Sequence, residues 1–494
     1  MMNFLDFVLL LWVTIGTIFF GVCSWRYFFH PLARFPGHPL FVISDFSMAI
    51  CVGLGRSFSS VRKMHQRYGK IVRTGPNKVS ILDMSVLHAL YKSAQSFEKD
   101  DAYSLGASEG EGLFFIKDRS RHAKRRAIWA QAFTATSIEK YTPYLETCTS
   151  KLMTTIMAKS KIGPVDLGRL FNHWAFDLMG LMTFGPSNSF GLLENDDPDH
   201  LVENCREAAS VFQSYSLSEI PSTFRLLSYL PVPNPIHGLQ KLAEQNLKKF
   251  EGPGIVNSTT PIICSLLSKS GISHADVVDD VLFAIQAGFE ATATILTFAM
   301  FYLTSNQAVV SQLQDELDHT FGTPSPSKTC AMDHPTLSEL PLLNAVIKES
   351  LRLGSPFPGL TRVTPPQGVM LAGQYIPGGT VVSVPVHALH LSSEHFSPNP
   401  ERFEPHRWIF PKEGEPQFMT DELALIPFSF GPFGCLGRQL AMKELLFLIA
   451  TLVYNFDITF PIGFDEEKFL KNVRNLKATH FDVGLLVHLE VGAL

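Results

Sequence analysis

One cysteine framed by three glycines, in "FSFGPFGCLGRQLA" from Phe428 to Ala441, constrains this chain more than any other stretch. Free cysteine is usually a small buried hydrophobe, so a structural core residue is the plain alternative for Cys435. Zinc is a second alternative, but a zinc site needs further Cys or His at short spacing, and none lies near. Gly431, Gly434 and Gly437 point elsewhere. Glycines permit backbone conformations and close approaches that a side chain obstructs, so a flat, bulky group can lie against this loop. The following "GRQLAMKELLFLIATLVYNF" reads as an amphipathic-to-buried helix, which puts Cys435 at a helix N-terminus, where free N–H groups favour a thiolate. A thiolate with open space above it suits an iron ligand.

The chain is long enough, at 494 residues and 46% hydrophobic, for a large core; length alone would suggest roughly two to four domains. A net charge of −5 gives no reason to expect nucleic acid as a partner. The seven cysteines lack paired spacing, which argues against a disulfide framework and fits a reducing compartment. At the N-terminus, "FVLLLWVTIGTIFFGVCSW" from Phe7 to Trp25 carries no charge and would span about 28 Å as a helix. A cleavable signal peptide is the rival, but the run is long and has no basic leader. Arg26, His30 and Arg34 follow the run and Asp6 precedes it, so the positive-inside rule leaves the bulk of the protein in the cytosol.

"HPLARFPGHPL" supplies Pro31, Pro36 and Pro39 as a stiff connector. "GKIVRTGPNKVSILD" (Gly69 to Asp83) alternates like strands about a turn, and most later segments show helical periodicity. Loops are expected at Glu251 to Pro261, which holds the sequon Asn257-Ser258-Thr259, and at Phe321 to Pro335. In "NAVIKESLRL", Glu349 and Arg352 share one helix face; the apolar surroundings predict a buried pair needing a further partner.

Phe428, Gly431, Cys435 and Gly437 match the pattern F-x-x-G-x-x-x-C-x-G, and on this signature the chain resembles the cytochrome P450 (haem-thiolate monooxygenase) family. The resemblance extends over nearly the whole chain, and "DLGRLFNHWAFDLMGLMTFG" (Asp166 to Gly185) looks like fungal, microsomal members. It implies a mostly α fold with small β-sheets: a membrane anchor over residues 1–29 and a single catalytic domain over 30–494. It further implies haem b, with Cys435 as the metal ligand, whose thiolate pushes electron density to favour O–O cleavage. "NPERFEPHRW" matches the family's P-E-R-F element and implies a Glu349–Arg352–Arg402 triad with a structural role. His122 and Arg126 in "RSRHAKRRAIWAQAF", at i and i+4, and Arg362 in "FPGLTRVTPP" match residues that face the haem propionates; solvated surface charges are the competing reading. Two before the cysteine, where relatives often have Arg or His, stands Phe433, which leaves Arg126 and Arg362 to carry more of that load.

The segment from Ser273 to Leu303 could be a core helix or a second membrane span, but Asp276, Asp279, Asp280 and Glu290 argue against a span. Its "AGFEAT" resembles the family's A-G-x-[DE]-T-[TS] element. Ala287 and Gly288 are expected to leave room for dioxygen and substrate, and Glu290 falls on the proton-delivery position. The next residue, usually Thr, is Ala291; Thr292 follows one step on, turned by about 100°. A water held between Glu290 and Thr292, or a hydroxyl on the substrate, is the expected replacement.

The resemblance implies an endoplasmic-reticulum enzyme, single-pass, that takes electrons from an NADPH–cytochrome P450 reductase. It would hydroxylate or epoxidise a lipophilic small molecule in fungal specialised metabolism, such as a terpenoid or polyketide. Arg121, Lys124 and Arg125, off the haem-facing side of their helix, are expected to include contacts to an acidic reductase surface. Ala291 keeps open a haem-thiolate enzyme that uses peroxide or rearranges its substrate, and a non-catalytic haem sensor is the reading from another class. The segments "ENCREAASVFQSY" and "YLPVPNPIHGL" are placed near a substrate entrance, with core packing as the equal alternative.

Overall fold

The computed structural model describes residues 4–91, 97–106, 110–186, 190–212, 219–220, 236–250, 263–322, 332–357, 359–409, 417–476 and 478–491. The loop and sequon expected at 251–261, most of the loop at 321–335, and "YLPVPNPIHGL" up to residue 235 lie outside them.

In chain order, the elements that matter for the site are α1 (Phe4–Ser24), β1 (Ile71–Gly75), β2 (Lys78–Ile81), α2 (Arg119–Ala130), β3 (Val165–Asp166), α3 (Leu167–Phe184), α4 (Leu201–Phe212), α5 (Ile236–Phe250), α6 (His274–Ser305), α7 (Pro341–Leu353), β4 (Arg362–Val363), β5 (Val381–Ser383), α8 (Arg438–Asn455), β6 (Phe456–Thr459), β7 (Val473–Asn475), β8 (Thr479–Phe481) and β9 (Leu486–Val491). The chain is mostly helical with small sheets. β1-β2-β5-β4 form one sheet, β6-β9-β3 a second, and β7-β8 a hairpin. Side chains at the helix starts satisfy orphan N–H groups: Asp118 accepts from Arg121, Asp166 from Arg169 and Ser273 from Asp276.

α1 and the turn after it run apolar to Phe29 with a mean hydropathy of 2.2 and nothing buried against the protein, which makes this stretch a candidate membrane anchor. α6 is as long and nearly as apolar, but 67% of its most apolar window is buried in the protein. It is the core helix, and α3 is its main neighbour. Phe176 and Phe289 meet there at 5.2 Å between ring centroids. A Cβ on Gly288 would come within 2.3 Å of Met179 Sδ, so this glycine lets Met179 of α3 pack closely, and it also lines the cavity, as the sequence suggested.

The buried ion-pair cluster forms on α7, with one change of membership. Glu349 accepts from Arg352 Nε (2.8 Å) and Nη2 (2.7 Å), from Arg407 Nε (3.0 Å), from Trp408 Nε1 (2.9 Å) and from the Glu404 N–H (2.9 Å). Arg402, expected as the third member, is exposed and contributes only its carbonyl, to Arg352 Nη2 at 3.1 Å. The 3₁₀ turn Pro405–Trp408 swings Arg407 inward. A buried carboxylate with five donors meets the condition under which an interior ion pair is tolerated.

Candidate active site

The cysteine loop is held by its own backbone. The Cys435 N–H donates to the Phe428 carbonyl at 2.9 Å and Gly434 N–H to Gly431 O at 3.0 Å, while Gly431 takes φ 73°, a conformation that favours glycine. Cys435 is enclosed by protein yet exposed to a cavity of about 400 Å³, because the space above it is internal. A Cβ on Gly437 would meet only ordinary contacts, 3.8 Å from Cys435 Sγ and from Phe133. Its smallness therefore serves the space in the cavity, not the packing of the protein.

One sequence expectation changes here. Burial raises the Cys435 thiol above its usual value, opposed by the N–H groups of Gly437 and Arg438 and by the Arg126 guanidinium. The helix N-terminus alone does not make a thiolate; a coordinated metal would.

Around the rim of the cavity the chain gathers cations. Arg362 is fully buried on β4; its guanidinium lies 4.6 Å from the centre of the Phe433 ring and donates through Nη1 to Thr361 O at 2.7 Å. Its Nε and Nη2 find no hydrogen-bond partner among the described residues. The His122 ring is 4.6 Å from the Phe433 ring, and burial together with Lys99, Arg126 and Arg362 pushes its pKa down to about 3. Arg126 is half-buried and lines the same cavity.

Lys99 was not found from the sequence. Glu98 bridges to Val363 of β4, with Val363 N–H donating to Glu98 O at 2.8 Å, and this brings Lys99 beside Arg362. Its ammonium donates to Phe114 O (2.6 Å) and Ile116 O (2.9 Å) and lies 5.2 Å from the Phe433 ring. Burial and the charge of Arg362 lower its pKa to about 7. Phe433 thus supplies a π face between two cations, where relatives often place a third.

The α6 wall carries acids. Ala287 and Ala291 line the cavity. Glu290 is buried, accepts from Gln286 Nε2 at 2.7 Å, and lies 3.1 Å from His480 Nδ1 on β8; burial raises its pKa to about 7. Thr292 points another way and donates to Glu444 Oε2 on α8 at 3.1 Å. Burial raises Glu444 to about 8. Glu290 and Thr292 therefore hydrogen-bond into two separate networks, although both border the cavity. Glu444 was visible only as a charged residue inside an apolar helix pattern, and His480 gave no signal.

The basic helix α2 also differs from expectation. Arg125 is buried, with Nη2 2.8 Å from Asp276 Oδ2 and Nη1 2.7 Å from Asp280 Oδ2, which removes it from any docking surface. Arg121 pairs with Glu111 at 2.6 Å, and Lys124 is exposed.

A buried guanidinium with two idle donors calls for an anion that the surrounding polypeptide does not offer, and the carboxylates of a haem lying over Cys435 fit that demand. Comparison with known proteins agrees. A family model described as Cytochrome P450 matches residues 48–479. Cytochrome P450 monooxygenase orf5 of Eupenicillium brefeldianum is 30% identical over 94% of this chain and 92% of its own length, and cytochrome P450 monooxygenase sthD of Phaeosphaeria nodorum is 30% identical over 92% and 94%. Tryprostatin B 6-hydroxylase of Aspergillus fumigatus is 28% identical over 97% and 84%. With the cysteine signature intact on the cavity wall and the match running through almost every element named above, the chain belongs to the cytochrome P450 family.

Proposed function

We propose that this P450 monooxygenase hydroxylates or epoxidises a lipophilic small molecule in fungal specialised metabolism, with haem b held by Cys435. Residues 1–29 anchor it, single-pass, in the endoplasmic reticulum membrane, and residues 30–494 form a cytosolic catalytic domain that receives electrons from NADPH–cytochrome P450 reductase. The observation that carries this reading is the pairing of Cys435, open to an apolar cavity, with the idle buried donors of Arg362 on its rim. A relative named for hydroxylating tryprostatin B supports the reaction type.

Bound haem supplies the oxygen chemistry: one atom of dioxygen enters the substrate and the other leaves as water, with two electrons and two protons consumed. The chain does the rest. Phe428, Gly431 and Gly437 shape the loop that presents Cys435 to the cavity, where it would hold the haem iron. Arg362, Arg126, His122 and Lys99 would hold the haem carboxylates. Ala287 and Ala291 leave an apolar space for substrate. Glu290 on α6 and the Thr292–Glu444 pair between α6 and α8 keep protons beside the cavity, since burial raises both acids toward neutrality, where they can hold or release a proton. Ala291 favours one second reading, an enzyme that uses peroxide or rearranges its substrate.

The test combines spectrum and turnover. Reduced, carbon monoxide-bound protein should give the thiolate-type Soret band, and Cys435→Ser should abolish it, because a neutral hydroxyl is a far poorer donor to iron. Turnover of a lipophilic panel with reductase and NADPH, exceeding that with hydrogen peroxide, supports the monooxygenase; the reverse order favours the second reading.

A further inference from the structure

A second cavity, of about 200 Å³, lies between the C-terminal half of α6, the end of α7 and the β7-β8 hairpin. Residues 354–357 form the partition from the first: Gly354 and Ser355 line the second cavity, while Pro356 and Phe357 line the cavity that holds Cys435. Hydrogen bonds fix this partition. The Thr479 N–H donates to Pro356 O at 3.1 Å, and Thr294 Oγ1 of α6 donates to Thr479 O at 3.3 Å. Thr479 Oγ1 shares its hydrogen between Ser355 O at 3.2 Å and Asn475 Oδ1 at 3.1 Å. The cavity opens to solvent past Glu401, whose exposed carboxylate pairs with Arg62 of the helix Ser57–Tyr68.

Three polar side chains on this lining have no hydrogen-bond partner among the described residues: the Tyr302 hydroxyl, the His387 imidazole and the Asn475 amide nitrogen. Polar groups withdrawn from bulk water are nearly always paired in a folded protein, so whatever enters the cavity has to meet them. All three can donate. Burial holds the Tyr302 phenol in its protonated form and, with the nearby charge of Arg62, lowers His387 to about 4, so both are neutral at physiological pH. The two charged residues on the lining, Arg62 and Glu401, offset each other. The remainder is largely apolar, with Phe298, Leu353, Leu391, Leu470 and Val473.

We infer that this cavity is a second ligand site, separate from the one over Cys435, for a small neutral carbonyl compound such as a lactone or cyclic ketone on a short aliphatic skeleton. The site stands independently of the function proposed above. A carbonyl oxygen only accepts, and it has two lone pairs to offer to neutral donors. A carboxylate would give up its hydration beside Glu401 and find the one cation already paired, which makes it the poorer occupant. Water alone would satisfy the donors but leave the apolar side of the cavity wet. Since a cavity of about 150 Å³ takes a benzene ring, this one has room for roughly eight or nine heavy atoms.

The experiment uses the full-length holoenzyme with its first cavity blocked by saturating 4-phenylimidazole, and measures the binding of γ-heptalactone and of heptanoate by calorimetry. The lactone should occupy one further site, about tenfold more tightly than the carboxylate. Tyr302→Phe and Asn475→Ala should each weaken it roughly three- to tenfold while the affinity for 4-phenylimidazole stays unchanged. Val473→Phe, which fills the cavity, should abolish it. Because its hydroxyl has no partner in the protein, Tyr302→Phe should melt no lower than the wild type, so lost binding is not lost folding. If the lactone does not bind, the cavity holds water only and the site is overturned. Heptanoate binding as tightly as the lactone would overturn the neutral-acceptor chemistry, and lactone binding that survives Val473→Phe and both polar variants would put the ligand elsewhere and overturn the assignment.

Discussion

The rim of the cavity and its α6 wall solve the same physical problem in opposite ways. Burial penalises charge on both. On the rim, Lys99, His122 and Arg362 crowd about Phe433 with Arg126 near His122, and none forms an ion pair with a carboxylate among the described residues. On the wall, Glu290 and Glu444 accept from the neutral donors Gln286 and Thr292 and hold their protons up to about 7 and about 8. The rim is left short of anions, so its charge balance is completed by whatever binds there. The wall's acids lessen their own charge by keeping protons. On the proposed function, the first region would receive a cofactor's carboxylates and the second would store the protons that its oxygen chemistry consumes.

The largest effect that would break this comparison lies on the rim. Replacing Arg362 with Met removes a buried cation whose Nε and Nη2 have no partner of their own, so the haem-free protein should be no less stable than wild type. The holoenzyme should instead lose haem roughly ten- to hundredfold faster, since a hydrogen bond to a charged group is worth about 1.5–3 kcal/mol. Transfer of haem to apomyoglobin measures the rate, and thermal melts of both forms measure stability. Lys99→Met should cost less, because two of its three donors are already committed to Phe114 O and Ile116 O. Equal destabilisation of haem-free and haem-bound protein would make the rim a structural charge cluster.

The two regions also differ in how legible they were. Cys435, Phe428, Gly431 and Gly437 lie within ten residues, so their spacing was readable before any folding. Helical periodicity placed His122 and Arg126 together because i and i+4 share a face. Lys99 became visible only in three dimensions, since it reaches Arg362 through a strand bridge between residues far apart in sequence. The P-E-R-F element points to Arg402 while Arg407 enters the cluster, because a motif fixes residue type and order, not which way a 3₁₀ turn then points. Arg125 looked like one more exposed cation on a basic helix; its two acids come from α6, 151 or more positions away. Contacts within one element were legible; those made by packing different elements were not.

A smaller effect sharpens the description of the wall. Glu444 titrates near 8 in the fold against the ordinary 4.5, so between those values the unfolded chain ionises while the folded one keeps its proton. The folded state then binds more protons, and stability must fall as pH rises through that window. Glu290 acts in the same direction up to about 7. Glu444→Gln keeps the contact with Thr292 and removes the titration. Its stability relative to wild type should grow from pH 5 to pH 8, by on the order of a few kcal/mol at the upper end. Denaturant midpoints across that range measure it. A difference independent of pH would mean that Glu444 is ionised in the fold.

The smallest effect concerns the one position where the wall lacks a hydroxyl. Ala287 and Ala291 share the cavity-facing side of α6, while Glu290 turns toward Gln286 and His480, and Thr292 toward Glu444. The neighbouring hydroxyl, Thr292 Oγ1, is committed to Glu444 and does not replace one at Ala291. A hydroxyl on the substrate can take that place, with protons drawn from the neighbouring acids. Substrates without one should divert NADPH into peroxide. Ala291→Thr should then raise product formed per NADPH by about two- to tenfold for those substrates, and change little for hydroxylated ones. Glu290→Gln together with Thr292→Val should lower coupling for both kinds. If the wild type couples tightly with every substrate and the double variant changes nothing, protons reach the oxygen by another route. In that case the wall's neutral carboxyls are packing elements, and the peroxide or rearrangement chemistry becomes the better account of Ala291.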